Sequence, residues 1–170
     1  MNLRLVLLLL ACASIACGGQ ESSAAPATQV PADAGEGASE DDGFVGCPDG
    51  GTPRFALGMR ASGDSGVLAA TLVAASQVPP QRYLNDWTIA LSRSDGTALN
   101  DVVITRARPF MPVHGHDGIV VPTLQPLASS GQVLVRGLNF NMRGPWEVQL
   151  SLHSPSAGDD YAVFHICVAE

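Results

Sequence analysis

Hydrophobic and polar residues alternate with a period of two along much of the C-terminal three quarters of the chain, and long helical periodicity is missing. The clearest segments are 87–92, 146–152 and 163–168, in which every second residue is a large apolar one. This is the pattern of half-buried β-strands. Trp87 and Trp146 begin two of these segments, and we expect both to anchor the core.

Less regular apolar runs predict further strands, with 118–121 the weakest: 55–60, 67–76, 102–108, 118–121 and 133–140. Turn-forming residues rich in Gly, Ser, Asp and Pro separate the runs. Seven or eight short strands with a turn about every 8–12 residues are typical of an immunoglobulin-like antiparallel β-sandwich. The sequence therefore predicts an all-β fold of that kind.

The order of these strands also predicts which loops lie together. If strand direction alternates, the strands at 102–109 and 133–140 both run upward, because 118–121 runs down between them. The loops that follow the two upward strands then lie at the same end of the sandwich, which is also where Cys167 is expected. Without a strand at 118–121, the loop after 133–140 would move to the opposite end.

The N-terminal residues 1–16 have the organisation of an export signal. Arg4 supplies a positive charge, and the apolar residues 5–11 that follow are fewer than the roughly 20 needed to span a bilayer. The segment 14–18, Ser-Ile-Ala-Cys-Gly, resembles the lipobox of bacterial lipoproteins. This resemblance implies cleavage before Cys17 and a lipid anchor on its thiol. An ordinary secretory signal with incidental cysteines is the alternative.

Residues 17–43 are predicted to be a disordered linker after the lipidated cysteine. They are mostly Ala, Gly, Ser, Pro and acidic residues, with six carboxylates and no basic side chain, so they cannot bury enough apolar surface to fold. Much of the net charge of −7 comes from this segment, and residues 44–170 are close to neutral. Since nucleic-acid binding needs a basic surface, we do not expect a nucleic-acid partner. Residues 44–170 are long enough for one domain.

Two cysteines, Cys47 and Cys167, lie at the ends of this domain. Export to an oxidising compartment favours a disulfide between them. Such a bridge closes a loop of about 120 residues and stabilises by roughly 3–5 kcal/mol in the chain-entropy model. Two free thiols or a metal site are the alternatives, although the chain has no Cys-x-x-Cys motif.

Two of the four histidines and two of the four methionines fall in predicted loops: Met111, His114, His116 and Met142. Imidazole nitrogens and thioether sulfurs suit copper. His114 and His116 are separated by one glycine, so in an extended segment both side chains point to the same side. The four side chains together would select Cu(I), whereas the histidines with Asp117 would form a harder site for Cu(II) or Zn(II).

A purely structural interpretation of the same residues stays open. Methionine fills irregular gaps in cores, so Met111 and Met142 would then complete the end of the core. The histidines would hydrogen-bond the backbone of the turn. Of the other two histidines, His165 shares a face with Cys167 and is a third candidate ligand, while His153 falls at the opposite end.

Residues 65–168 resemble the YtkA-like/FixH-like domain family. The resemblance rests on segment 110–116, Phe-Met-Pro-Val-His-Gly-His, and on segment 138–146, Leu-Asn-Phe-Asn-Met-Arg-Gly-Pro-Trp. It implies a small extracytoplasmic β-sandwich. FixH-type proteins are associated with copper supply to a terminal oxidase, which agrees with the histidine and methionine pattern. Two departures are Asp117, where the family usually has Gly, and an expected lipid anchor where FixH proteins have a membrane helix.

An enzyme is not expected, because the sequence lacks a Gly-x-Ser-x-Gly motif, a His-Glu-x-x-His motif and a phosphate-binding glycine loop. Two hypotheses follow. The first is a lipid-anchored domain of the bacterial cell envelope, on the outer membrane or the periplasmic face, that binds or delivers copper. The second is an interaction module without metal, which presents its loops to an envelope protein partner.

Overall fold

The computed structural model describes Cys47, residues 55–129 and residues 131–169. The predicted signal at 1–16 and the linker at 17–43, with Cys17, lie outside the described residues. In the described part the chain forms nine β-strands, whose bounds are β1 (Arg60–Ser62), β2 (Leu68–Ala75), β3 (Tyr83–Arg93), β4 (Val103–Met111), β5 (His116–Asp117), β6 (Thr123–Pro126), β7 (Gln132–Phe140), β8 (Gly144–Ser154) and β9 (Gly158–Val168).

The strands form two antiparallel sheets. The five-stranded sheet has the order β1-β2-β3-β7-β6, and the four-stranded sheet has the order β5-β4-β8-β9. The predicted antiparallel β-sandwich is therefore confirmed. Within residues 55–129 and 131–169, no helix is long and apolar enough to cross a membrane.

The core lies between the sheets and is built by the alternating residues. Trp87 on β3 and Trp146 on β8 are 0% and 1% exposed, as the sequence predicts. Phe164 on β9 meets the Trp87 ring edge to face, with centroids 5.9 Å apart, so the contact joins the two sheets. Each such aromatic side chain contributes about 1.5–3 kcal/mol of burial free energy.

The strand predicted at 118–121 is wrong. The structure has instead two shorter strands, β5 and β6, and residues 118–122 connect them across the edge of the sandwich. After Gly118, whose N–H donates to the Pro109 carbonyl on β4, the connection pairs with no strand of the described residues: Ile119 and Val121 are 77% and 87% exposed, and the Ile119 N–H donates to the Asn139 side-chain oxygen at 3.2 Å. The chain still runs antiparallel to β4 through β5 and β6, and β7 then runs back. The C-terminal ends of β4 and β7 therefore lie on the same side of the sandwich, as predicted.

The strand predicted at 55–60 is also misplaced. A turn at residues 56–59, with Gly58 at φ +86°, precedes β1, which begins only at Arg60. Phe55 packs its ring against Trp87 at 5.4 Å instead of pairing in a sheet. Of the apolar residues at 55–57, Phe55 thus packs on the core from a loop, whereas Leu57 is 52% exposed.

Candidate metal site at one end of the sandwich

One end of the sandwich carries the turn between β4 and β5, residues 112–115, and the turn between β7 and β8, residues 141–143; we call this end the tip. The Gly115 N–H donates to the Met111 carbonyl oxygen at 2.8 Å and closes the first turn. Gly115 has φ +68°, a left-handed conformation that glycine adopts without strain. The sequence Pro-Val-His-Gly therefore forms a tight turn that presents His114 and leads directly into His116.

The two histidines of the tip lie side by side. Their ring centroids are 5.9 Å apart, with the ring planes inclined by 30°. His114 is exposed and His116 is half-buried. The Nδ1 atom of His116 lies 2.9 Å from the carbonyl oxygen of Asp117. A carbonyl oxygen only accepts, so this bond places a proton on Nδ1 and leaves the lone pair of Nε2 for another partner.

Trp146 connects the two turns of the tip. Its ring meets the His116 ring edge to face, with centroids 5.8 Å apart. Its indole N–H donates to the Met142 carbonyl oxygen at 3.0 Å, and its ring packs on Phe140 at 5.5 Å. These contacts hold the indole in one position, and His116 and the Met142 backbone both lie against it.

The two methionines of the predicted site differ in exposure. Met111 is 0% exposed and belongs to the hydrophobic core. It is the residue directly opposite His116 in the β4–β5 pair, so both side chains lie on the inner face. Met142 is partly buried and packs against the core from the second turn. Both methionines therefore pack against the core, as the structural interpretation expects, and Met111 is also the strand neighbour of His116.

Asp117 does not share a face with His116. It lies opposite Phe110 in the β4–β5 pair, on the outer face of the sheet. There its carboxylate accepts from Nε of Arg108 at 2.7 Å and lies 2.6 Å from Nη2 of the same guanidinium. Hydrogen bonding from Arg108 lowers the pKa of Asp117 below its usual value. A carboxylate held in this way is not available beside His116, which disfavours the harder donor set.

The remaining histidines lie away from the two tip imidazoles. His165 is exposed on the outer face of β9, with Nδ1 3.8 Å from a Glu147 carboxylate oxygen. His153 bonds Asp159 at 2.6 Å through Nδ1, near the turn between β8 and β9 at the opposite end. His165 thus shares a face with Cys167, as expected, but does not join the tip pair.

In the described part of the chain, no three His, Cys, Asp or Glu side chains gather closely enough to hold a metal ion. The tip offers two imidazoles, so an ion bound there needs further donors of another type. Met111 is the strand partner of His116, and Met142 lies in the neighbouring turn, so these two residues are the candidate soft donors at the tip. The thioether sulfur therefore decides whether the tip can complete a metal site.

The predicted disulfide is present. Cys47 is bonded to Cys167 across a sequence separation of 120, with Cα atoms 5.8 Å apart. Cys167 is near the end of β9, opposite Pro145 at the start of β8, so the bridge lies close to the tip. It ties Cys47, at the beginning of the domain, to the last strand.

Sequence reasoning missed two side chains that shape the site. Trp146 was expected only in the core, and its contact with His116 was not anticipated. Arg108 was not singled out at all. The sequence does show that Arg108 and Phe110 are two residues apart, so that they share one face of a strand, and that Asp117 follows nine residues after Arg108. The pairing of β4 with a two-residue β5 brings them together, and so short a strand leaves almost no periodic signal.

The chain matches no protein-family model, no curated protein and no solved structure. The resemblance to the YtkA-like/FixH-like domain therefore stays a prediction from the two quoted segments.

Proposed function

We propose that this protein is a non-catalytic β-sandwich domain of the bacterial cell envelope that binds copper at the tip. His114 and His116 supply two nitrogen ligands, and Met142 supplies a sulfur, with Met111 as a second sulfur beneath His116. A lipid on Cys17 and the linker to residue 43 tether the domain to the membrane. Mass spectrometry of the mature N-terminus tests the tether: an unmodified cysteine, or cleavage elsewhere, contradicts it.

The observation that carries the copper proposal is the arrangement of the two imidazoles. An ion bonded to a ring nitrogen at about 2 Å lies about 3 Å from the ring centroid, so two imidazoles on one ion have centroids up to about 6 Å apart. The observed separation of 5.9 Å falls within this limit. The separation permits one shared ion, and because the rings are stacked at 30°, we expect the exposed His114 ring to rotate so that one of its nitrogens meets the ion.

The second support is the orientation of His116. Metal-binding histidines usually donate their other ring N–H to a carbonyl or carboxylate oxygen, which fixes the ring and its tautomer. The bond from Nδ1 of His116 to the Asp117 carbonyl has this form. It fixes one ring nitrogen of His116 in advance, so less ordering of this ligand would be needed on metal binding.

The donor set favours Cu(I) over harder ions. Asp117 is bound to Arg108 on the opposite face, so the available donors are imidazole and thioether. Soft sulfur ligands select Cu(I), whereas Zn(II) and Cu(II) prefer additional nitrogen or oxygen ligands. We therefore expect the tip to bind Cu(I) more tightly than Zn(II).

The test is a titration of protein purified without a histidine tag, with Cu(I) under anaerobic conditions and with Cu(II) and Zn(II) in parallel. The wild-type protein should bind one Cu(I) per chain. A His114→Ala/His116→Ala double variant should lose at least about a hundredfold in Cu(I) affinity, since both nitrogen ligands are gone. A His153→Ala/His165→Ala double variant is the matched control and should bind as the wild type does.

Two results would contradict the proposal. Wild-type protein that is well folded and takes up no Cu(I) would remove the metal site and favour the interaction module. Equal Cu(I) affinity in the wild type and in the His114→Ala/His116→Ala variant would move the ion elsewhere on the protein.

A further inference from the structure

The two turns of the tip are held in different ways. The turn that carries His114 is closed by its own backbone, through the bond from the Gly115 N–H to the Met111 carbonyl oxygen. The turn that carries Met142 is held by a side chain, because the Trp146 indole N–H donates to the Met142 carbonyl oxygen at 3.0 Å. The backbone of Met142 is therefore fixed by the indole.

The short segment between Met142 and the indole favours this contact. Gly144 has φ +122°, which glycine adopts without strain, and the ring of Pro145 restricts its own φ, so the chain reverses between β7 and β8. The reversal brings the Trp146 indole back to a carbonyl only four positions earlier. In the same turn, Arg82 Nη2 donates to the Asn141 carbonyl oxygen at 3.1 Å. These bonds are part of the fold and precede any metal.

The indole links the two kinds of donor at the tip. Trp146 is 1% exposed, and its ring packs on Phe140 at 5.5 Å and meets the His116 ring edge to face at 5.8 Å. One rigid ring system thus contacts a nitrogen ligand of the proposed site directly and a sulfur ligand through its backbone carbonyl. A buried N–H that loses its acceptor costs free energy, so the indole opposes movement of the Met142 turn away from it.

The second tryptophan of the core lacks this kind of link. Trp87 is 0% exposed, but its indole N–H has no hydrogen-bond partner among the described residues. Its ring packs against Phe55, Phe140 and Phe164 as a purely apolar group. Two equally buried indoles therefore differ in whether the N–H is used, which provides an internal comparison.

We propose that Trp146 is a positioning residue for the thioether of Met142 and thereby gives the tip its preference for Cu(I) over Zn(II). The inference rests on the copper site proposed above. The hydrogen bond fixes the Met142 backbone before an ion binds, so less ordering of the turn is needed when sulfur joins the imidazoles. Zn(II) takes nitrogen, oxygen and thiolate ligands rather than thioethers, so its binding gains little from a fixed Met142.

The experiment replaces Trp146 in the full-length protein by 3-benzothienylalanine, in which a sulfur atom takes the place of the indole N–H and the ring keeps its size. The change removes the donor and retains the packing against His116. Cu(I) affinity should fall about fivefold, which corresponds to about 1 kcal/mol and thus to one hydrogen bond, and Zn(II) affinity should not change. In the metal-free protein, the NMR order parameter of the Met142 amide should fall.

The same replacement at Trp87 is the matched control and should change neither affinity, since no hydrogen bond is lost there. In a Met142→Leu background, the replacement at Trp146 should cause no further loss of Cu(I) affinity, because the positioned sulfur is absent. If the wild type binds Cu(I), three results would overturn the inference: unchanged affinity after replacement at Trp146, an equal loss after replacement at Trp87, or an undiminished loss in the Met142→Leu background. Wild-type protein that takes up no Cu(I) would instead refute the proposed function, and the inference with it.

Discussion

At the scale of single residues, His116 is held by two neighbours of different chemistry. The Asp117 carbonyl accepts from its Nδ1–H, and the Trp146 ring lies against it at 5.8 Å. The first contact fixes the tautomer and the second fixes the tilt of the ring. His114, by contrast, is exposed and its ring lies against that of His116, so on the proposed function we expect His114 to move when an ion binds.

Met142→Leu separates coordination from packing. Leucine has nearly the volume of methionine, so the free energy of unfolding should change by less than about 1.5 kcal/mol. Loss of the thioether should lower Cu(I) affinity at least about tenfold and leave Zn(II) affinity unchanged. Met59→Leu, at another methionine packed against the core, is the control and should change neither affinity. Unchanged Cu(I) affinity in Met142→Leu would mean that Met142 only packs.

Asp160 predicts how stability depends on pH. This carboxylate is 9% exposed and accepts from the Ser65 N–H and hydroxyl and from the Leu68 N–H at 2.6–3.0 Å. Burial raises its pKa, but the hydrogen bonds from Ser65, Leu68 and Tyr161 outweigh burial, so the pKa of Asp160 lies below its usual value. The ionised form therefore stabilises the fold above about pH 4, and this contribution is lost as the pH falls through the lowered pKa.

Asp160→Asn should lower the free energy of unfolding at pH 7 by about 1–3 kcal/mol, because buried N–H groups lose a charged acceptor. The difference from wild type should shrink as the pH is lowered below 4, where the wild-type carboxylate is also protonated. Urea unfolding at pH 7 and pH 3 measures both effects. Asp159→Asn, at the exposed neighbouring position, is the control; an equal loss in both variants would contradict this role of Asp160.

At the scale of elements, β5 is the weakest part of the site. It has two residues and two register pairs with β4, and the Arg108–Asp117 ion pair holds it from the outer face. Arg108 is itself fixed, since its guanidinium lies 4.3 Å from the Phe110 ring centroid and bonds the Gln149 side chain at 3.1 Å. The position of His116 therefore depends on a contact on the other side of the strand.

Arg108→Gln should loosen β5 without unfolding the domain. The ion pair is partly exposed, so the free energy of unfolding should fall by less than about 1 kcal/mol. Cu(I) affinity should fall about tenfold, as for other contacts that orient metal ligands. Arg106→Gln on the same strand removes a charge without releasing Asp117 and serves as the control. If both variants bind Cu(I) equally well, Arg108 does not position His116.

The long strands were predictable from sequence and the short ones were not. β3, β8 and β9 alternate cleanly because one face of each is buried along most of its length. The run 118–121 is apolar but exposed, because it crosses between the sheets, and this cannot be read from a pattern of single residues. The contact of His116 with Trp146 depends on the pairing of β4 with the two-residue β5, which leaves no periodic signal. The sequence therefore predicted which loops form the tip, but not the contacts within it.

At the scale of the whole molecule, the disulfide joins the beginning of the domain to its last strand. A Cys47→Ser/Cys167→Ser double variant should lose about 3–5 kcal/mol of stability, because the bridge restricts a long loop in the unfolded chain. Urea unfolding of wild type and double variant without reductant measures the loss. Adding reductant should destabilise only the wild type. Equal stability of the two oxidised proteins would contradict a structural role for the bridge.

The disulfide lies close to the tip, at the point where the described chain begins with Cys47. Cys17 lies 30 residues before Cys47, and Cys47 is bonded next to the start of β8, near Met142 and Trp146. Cys47 is therefore held at the end of the domain that carries the two histidines.

X-ray absorption at the copper edge of the Cu(I)-loaded wild-type protein tests the central claim most directly. The account predicts a mixed first shell, with two imidazole nitrogens at about 2.0 Å and at least one sulfur at about 2.3 Å. The imidazole signal should disappear in His114→Ala/His116→Ala, and the sulfur signal should weaken in Met142→Leu. A first shell of oxygen and nitrogen without sulfur, or a spectrum unchanged in the histidine variant, would contradict a copper site at the tip.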